Sequence, residues 1–144
     1  QGWRVLCGGT MSWQIEQKST GIEKILPTMR TDVVLDHLST GRRIVIDTKF
    51  TSILTSGWYR EETLRSGYLY QIYAYLRSQV GRGDALADCA SGLLLHPAIG
   101  ETVDESVIIQ GHHIRFATVD LTGTSADIRS QLLRFFDLTH HSGS

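Results

Sequence analysis

The sequence predicts a mixed α/β fold of the α+β kind, a mixed β-sheet flanked by helices. Three observations carry that expectation. Two runs rich in valine, isoleucine and leucine, 31–38 and 43–50, flank the turn residues Ser39-Thr40-Gly41. A long segment over 60–80 then places apolar residues at helical spacing. Further strand-like runs and a last helix follow, so strands and helices share one chain. At 144 residues the length suits a single domain, assigned to 1–138, that buries a core without staples.

The elements follow in order. Over 11–17, Trp13 and Ile15 alternate roughly with polar residues and predict a strand, with a turn at 19–21. Val33-Val34-Leu35 and Ile44-Val45-Ile46 are nearly continuous apolar runs, so their hairpin should be covered on both faces. In the helix, Leu64, Tyr68, Gln71 and Tyr75 fall at i, i+4, i+7 and i+11 on one face, beside a stripe of Leu69, Ile72 and Leu76. Gly67 weakens its first turns, and Gly81 and Gly83 supply the stop. A strand over 91–96 carries Leu93-Leu94-Leu95 and closes at Pro97. The runs 106–109 and 113–119 flank Gln110-Gly111 as a second hairpin. A final helix starts near Thr124 or Ser125, with Ile128, Leu132 and Phe135 on one side. The small polar residues of 139–144 form a flexible tail.

Composition narrows the function. Fourteen lysines and arginines against fifteen acids leave a net charge of −1. That counts against a chain that grips nucleic acid with a strongly basic surface of its own. No apolar run approaches the roughly 20 residues of a membrane helix, so no bilayer span is expected. Cys7 and Cys89 are too few for a disulfide framework and fit a reducing cytoplasm. They lack CxxC spacing and an adjacent activating histidine, so neither reads as a nucleophile. The chain starts at Gln1 and reads as a processed chain or an excised domain.

Three polar residues stand where a buried hairpin needs a reason for them: Asp32, Asp47 and Lys49. Period-two geometry puts Asp47 and Lys49 on one face. A suitable register brings Asp32 onto that face too, with Cβ atoms about 4.5–5.5 Å from those of Asp47. Two carboxylates that close repel unless a proton or cation intervenes. Mg²⁺ meets that need, because it takes oxygen ligands and keeps several waters. A lysine beside it suits the hydrolysis of a phosphodiester. The plainer alternative is an Asp47–Lys49 ion pair at a sheet end, and it stays open.

Other features carry less. His112 and His113 are adjacent and face opposite ways on a strand, without zinc-site spacing. His37 and His96 read as polar caps near strand ends, and Tyr68 and Tyr73 as packing aromatics. Arg60, Arg65 and Arg77 are candidates to touch a DNA backbone or merely to be solvated. Gly8-Gly9 lacks the downstream GK[ST] of a phosphate loop, so no GTPase is read within the chain.

Asp32, fourteen residues and then Asp47-Thr48-Lys49 resemble the PD-(D/E)xK nuclease signature. Gln71 and Tyr75 resemble the QxxxY motif of its RecB-like branch. More narrowly, Leu26-Pro27-Thr28-Met29-Arg30-Thr31-Asp32, Ile46-Asp47-Thr48-Lys49-Phe50, Leu69-Tyr70-Gln71 and Gly92-Leu93-Leu94-Leu95-His96-Pro97 are together similar to the McrC family. McrC is the nuclease subunit of the McrBC modification-dependent restriction system. The resemblance implies a restriction-endonuclease-like fold and cleavage of double-stranded DNA with Mg²⁺, for which Mn²⁺ is a possible substitute. It implies Asp32 and Asp47 as metal ligands, Lys49 as the catalytic lysine, and Gln71 and Tyr75 as supporting or DNA-contacting residues. It also implies a partner, a GTP-hydrolysing AAA+ translocase like McrB that selects methylated DNA. Thr31 replaces the proline of the motif name. No strong helix is read before Trp13, and there is no room for the amino-terminal region through which McrC proteins meet their partner. The alternatives are a RecB-like repair or recombination nuclease, and a non-catalytic fragment that binds DNA or a partner.

Overall fold

The structure is a computed structural model, and it describes residues 2–49, 66–98, 100 and 102–136. In chain order the strands and helices are β1 (Trp3–Cys7), β2 (Thr10–Met11), β3 (Met29–Arg30), β4 (Val33–His37), β5 (Arg42–Thr48), α1 (Ser66–Ser78), α2 (Ala85–Asp88), β6 (Ser91–Pro97), β7 (Asp104–Ile109), β8 (His112–Val119) and α3 (Ser125–Arg134). Six strands form one mixed sheet in the order β1-β4-β5-β6-β8-β7, and β2 pairs with β3 apart from it. The fold is therefore mixed α/β of the α+β kind.

The hairpin expected around Ser39-Thr40-Gly41 is β4–β5, antiparallel, with Val33 opposite Ile46 and His37 opposite Arg42. β5, β6 and β8 run parallel to one another, and parallel neighbours need a crossover, which α1 supplies between the first two. The β7–β8 hairpin turns at Gln110 and Gly111, both at positive φ (49° and 84°), the backbone that a tight two-residue turn requires. α3 starts at a capping box in which Thr124 and Asp127 satisfy each other's backbone N–H groups.

Apolar residues alternate between two cores. Val34, Val45, Leu94, Ile114 and Phe116 face α1 and its Ile72 and Leu76. Leu35, Ile44, Ile46, Leu93, Leu95, Ala117 and Val119 form the opposite layer, covered by Ile128, Leu132, Phe135 and Phe136 of and beyond α3. The central strands are thus covered on both faces, as their apolar runs require. Among the described residues, no helix is long and apolar enough to cross a membrane.

Among the differences from the sequence expectation, three stand out. The strand expected over 11–17 ends at Met11. Beyond it Trp13 Nε1 donates to Pro27 O (2.8 Å), and Gln14 Nε2 donates to Ser78 O and Val80 O (both 2.6 Å). Those carbonyls lie at the end of α1 and lack helical partners of their own. Trp13 and Gln14 are therefore single latches, not residues of a pleat. The second difference is β1, which the sequence reading did not place. It adds to the sheet edge antiparallel to β4, with mostly exposed side chains. The third is α2, one turn capped by Asp84 Oδ1, which accepts from Leu86 N at 3.0 Å. The start of the expected helix, with Leu64, Arg60 and Arg65, and the 139–144 tail lie outside the described residues.

Candidate functional site

The β4–β5 register, carried one step past Val33–Ile46, sets Asp32 across from Asp47. Asp32 lies just before β4, and its backbone is held from the β1 side: Gly8 N donates to Asp32 O (2.9 Å), and Thr31 N to Gly9 O (2.9 Å). Asp47 shares the α1 face with Val45 because the two are two residues apart in β5. Just past that strand, Lys49 N donates to Leu95 O (3.0 Å), which keeps the chain extended along β6 and returns Lys49 to the face of Asp47.

The side chains form one connected set. Lys49 Nζ lies 3.2 Å from Asp47 Oδ2 and donates to Gln71 Oε1 at 3.0 Å. Gln71 Nε2 donates to Tyr75 Oη at 2.7 Å. The i, i+4 spacing on α1 brings Gln71 and Tyr75 to the same side of the helix. All five residues singled out in the sequence therefore lie at one end of the sheet beneath α1. Two groups were not foreseen there. Thr48 donates to Asp32 Oδ2 through both its N–H (2.8 Å) and its hydroxyl (2.9 Å). The Tyr68 ring, read as packing, has Lys49 Nζ 4.9 Å from its centroid. Its spacing of three from Gln71 was the available signal.

The two carboxylates experience opposite environments. At Asp47 burial dominates and raises the pKa, partly offset by the Lys49 charge and reinforced by Asp32. At Asp32 burial also pushes upward. The Thr48 hydrogen bonds, a hydrogen bond with Asp47 and the Lys49 charge together outweigh it and hold the carboxyl below its ordinary value. Asp47 Oδ2 is fully buried and receives no aligned hydrogen bond, because the nearby Lys49 Nζ lies off line. Such an oxygen, beside a second carboxylate kept ionised, suits a hard divalent cation. Among the described residues, no group of three or more His, Cys, Asp or Glu is placed to share an ion. The two carboxylates would leave most positions to water, a habit of Mg²⁺.

The other polar residues sort by distance along the strands. His96, at the same end of β6, has its ring 6.0 Å from that of Tyr68. His37 is at the hairpin-turn end, where Nδ1 lies 2.8 Å from Thr40 Oγ1 and the ring stands edge-on to Trp3. His112 is wholly buried, with Nδ1 2.7 Å from Ala90 O, while His113 points to the other face. Cys7 and Cys89 are free and exposed. Arg77 is exposed on α1. Asp36, which the sequence reading passed over, is wholly buried among arginines away from this site. Compared with known proteins, the chain matches no family model and no curated protein.

Proposed function

We propose that the chain is a Mg²⁺-dependent DNA endonuclease domain of restriction-endonuclease-like fold, a McrC-like cleavage subunit of a modified-cytosine-dependent restriction system. The observation that carries this reading is the meeting of Asp32, Asp47 and Lys49 at one sheet end, tied through Lys49 to Gln71 and Tyr75. Asp32 and Asp47 would hold the ion. Bound there, Mg²⁺ or Mn²⁺ supplies Lewis-acid polarisation of a phosphate and a more acidic water. The Lys49 ammonium is positioned to orient the attacking water and to offset negative charge growing on the phosphate oxygens. Thr48 keeps Asp32 ionised, and Gln71, braced by Tyr75, is a second holder of Lys49 beside Asp47. A GTP-hydrolysing AAA+ partner would supply capture and movement of double-stranded DNA in this reading, since the sequence carries no phosphate loop of its own.

A second reading has its own observation. Lys49 and Asp47 pair at 3.2 Å, the separation of a purely structural salt bridge. Cleavage assays separate the two. Asp47→Ala and Lys49→Ala should each lower Mg²⁺-dependent cleavage by at least about 10²-fold while the far-ultraviolet spectrum stays native. Normal cleavage by either variant defeats the assignment. A panel of methylated, unmethylated, linear and branched DNA distinguishes restriction from repair chemistry.

A further inference from the structure

We propose that Tyr68 is a positioning residue for Lys49, its ring face holding the ammonium between Asp47 and Gln71. The contribution to rate rests on the nuclease reading above; the hold on Lys49 does not. A lysine ammonium sits on a four-carbon stem that is free to rotate, so one hydrogen bond rarely fixes it. Here Gln71 Oε1 accepts at 3.0 Å, and Asp47 Oδ2 lies at 3.2 Å without good alignment. Two oxygens so placed leave the ammonium able to swing. The Tyr68 ring closes a third direction, with Nζ 4.9 Å from its centroid, inside the roughly 6 Å range of a cation–π contact.

Burial strengthens this contact. The Lys49 side chain is 19% exposed, and a partly desolvated cation gains more from an aromatic face than a hydrated one. The helix delivers the parts together. Tyr68, Gln71 and Tyr75 are spaced i, i+3 and i+7 on α1, so one face presents a ring, an amide oxygen and the phenol that braces the amide. The Tyr68 ring is in turn met by His96, centroids 6.0 Å apart and planes tilted by 36°. Tyr68 also packs against the α1-side core. Packing needs only its volume, whereas holding a cation needs its π face, and that difference makes the proposal testable.

The experiment compares Tyr68→Phe, Tyr68→Leu and Tyr68→Met in the full chain. Lys49 Cε protons under a ring face resonate upfield of those of other lysines. That shift should persist in Tyr68→Phe and vanish in Tyr68→Leu and Tyr68→Met, the flexible methionine being a second filler if leucine disturbs the fold. With Mn²⁺ and supercoiled plasmid DNA, Tyr68→Phe should nick within about twofold of the parent. The two aliphatic variants should lose about tenfold in kcat with KM unchanged. Unmoved Lys49 resonances in the aliphatic variants overturn the proposal, as does an equal loss in Tyr68→Phe. A Lys49→Ala variant that nicks at the parental rate defeats the nuclease reading alone, and the Lys49 resonances then decide the role of Tyr68.

Discussion

At Asp47 charge and surroundings oppose each other. The residue is 6% exposed, and losing water raises its pKa more than the Lys49 ammonium lowers it. Its folded form holds a proton more tightly than the unfolded chain does. Its contribution to stability is therefore complete below the ordinary value of 3.8 and is lost as pH rises through the raised folded value. Carbon-13 titration of the Asp47 carboxyl should give a midpoint above that of Asp32, higher again in Lys49→Ala. Millimolar Mg²⁺ should lower it, because a bound cation competes with the proton. An Asp47 midpoint at or below that of Asp32 contradicts this arrangement. Asp36 shows the opposite sign. Arg43 grips it through Nε (2.7 Å) and Nη2 (2.9 Å), Arg4 adds Nη2 (2.7 Å), and Arg43 Nη1 reaches Asp84 at 3.1 Å. The Arg43 hydrogen bonds are the largest cause of its lowered pKa, against burial. Arg43→Met leaves the buried Asp36 carboxylate with only the half-exposed Arg4, so it should cost about 2–3 kcal/mol at neutral pH. The Asp36 contribution is present above 3.8 and fades as pH falls through its lowered folded value, so the variant and its parent should converge in acid. Urea unfolding at several pH values measures this directly.

The site depends on how closely α1 lies on the sheet, and Gly92 in β6 sets that distance. A Cβ there would meet Ile72 Cδ1 at 2.8 Å and Leu76 Cδ1 at 3.2 Å. Gly92→Ala should therefore destabilise the fold by about 2 kcal/mol, a typical overpacking cost. It should also impair cleavage, because it displaces the helix that carries Tyr68, Gln71 and Tyr75. A stable, fully active Gly92→Ala would show that the site tolerates a shifted helix. The elements legible in the sequence were those with their own punctuation: the β4–β5 and β7–β8 hairpins with glycine at or beside their turns, and α3 with Thr124 before its apolar stripe. β1 was illegible because it is an edge strand. Its backbone pairs with β4 while its side chains face water, so no periodicity is imposed on them. The same exposure hid how Gly8 and Gly9 beyond it secure the Asp32 segment. Asp32, Asp47 and Lys49 were legible because polar groups in or beside apolar strands are costly and stand out, whereas Gln71 and Tyr75, on a helix, stood out only through the motif they resemble. Thr48 was not legible, since a threonine in a strand needs no explanation until its hydroxyl is seen on Asp32. Asp36 escaped notice because its compensation is non-local, one arginine across each neighbouring strand.

Across the whole molecule, charge limits what the chain achieves alone. Fourteen cations face fifteen acids, and several of the cations are already committed. Arg4 and Arg43 serve Asp36, Arg115 serves Asp104, Lys18 pairs with Glu23, and Lys49 stays with Asp47 and Gln71. Two of those acids, the exposed Asp32 and the buried Asp47, lie at the site and add to the repulsion of an approaching phosphate. Affinity for duplex DNA grows with the number of phosphates neutralised, and the logarithm of the binding constant falls with the logarithm of salt at about −0.9 per phosphate. A chain whose cations are outnumbered by its acids should therefore bind weakly, with a dissociation constant above about 10⁻⁶ M near physiological salt. Its salt slope should be shallow, about −3 for roughly three phosphates. Anisotropy titrations with methylated and unmethylated duplexes at several salt concentrations test this, with Ca²⁺ in place of Mg²⁺ to prevent cutting. Nanomolar binding by the isolated chain, or strong preference for the methylated duplex, would mean that target choice resides in this domain. Weak and indifferent binding is what the proposed reading expects, with capture and recognition left to a partner.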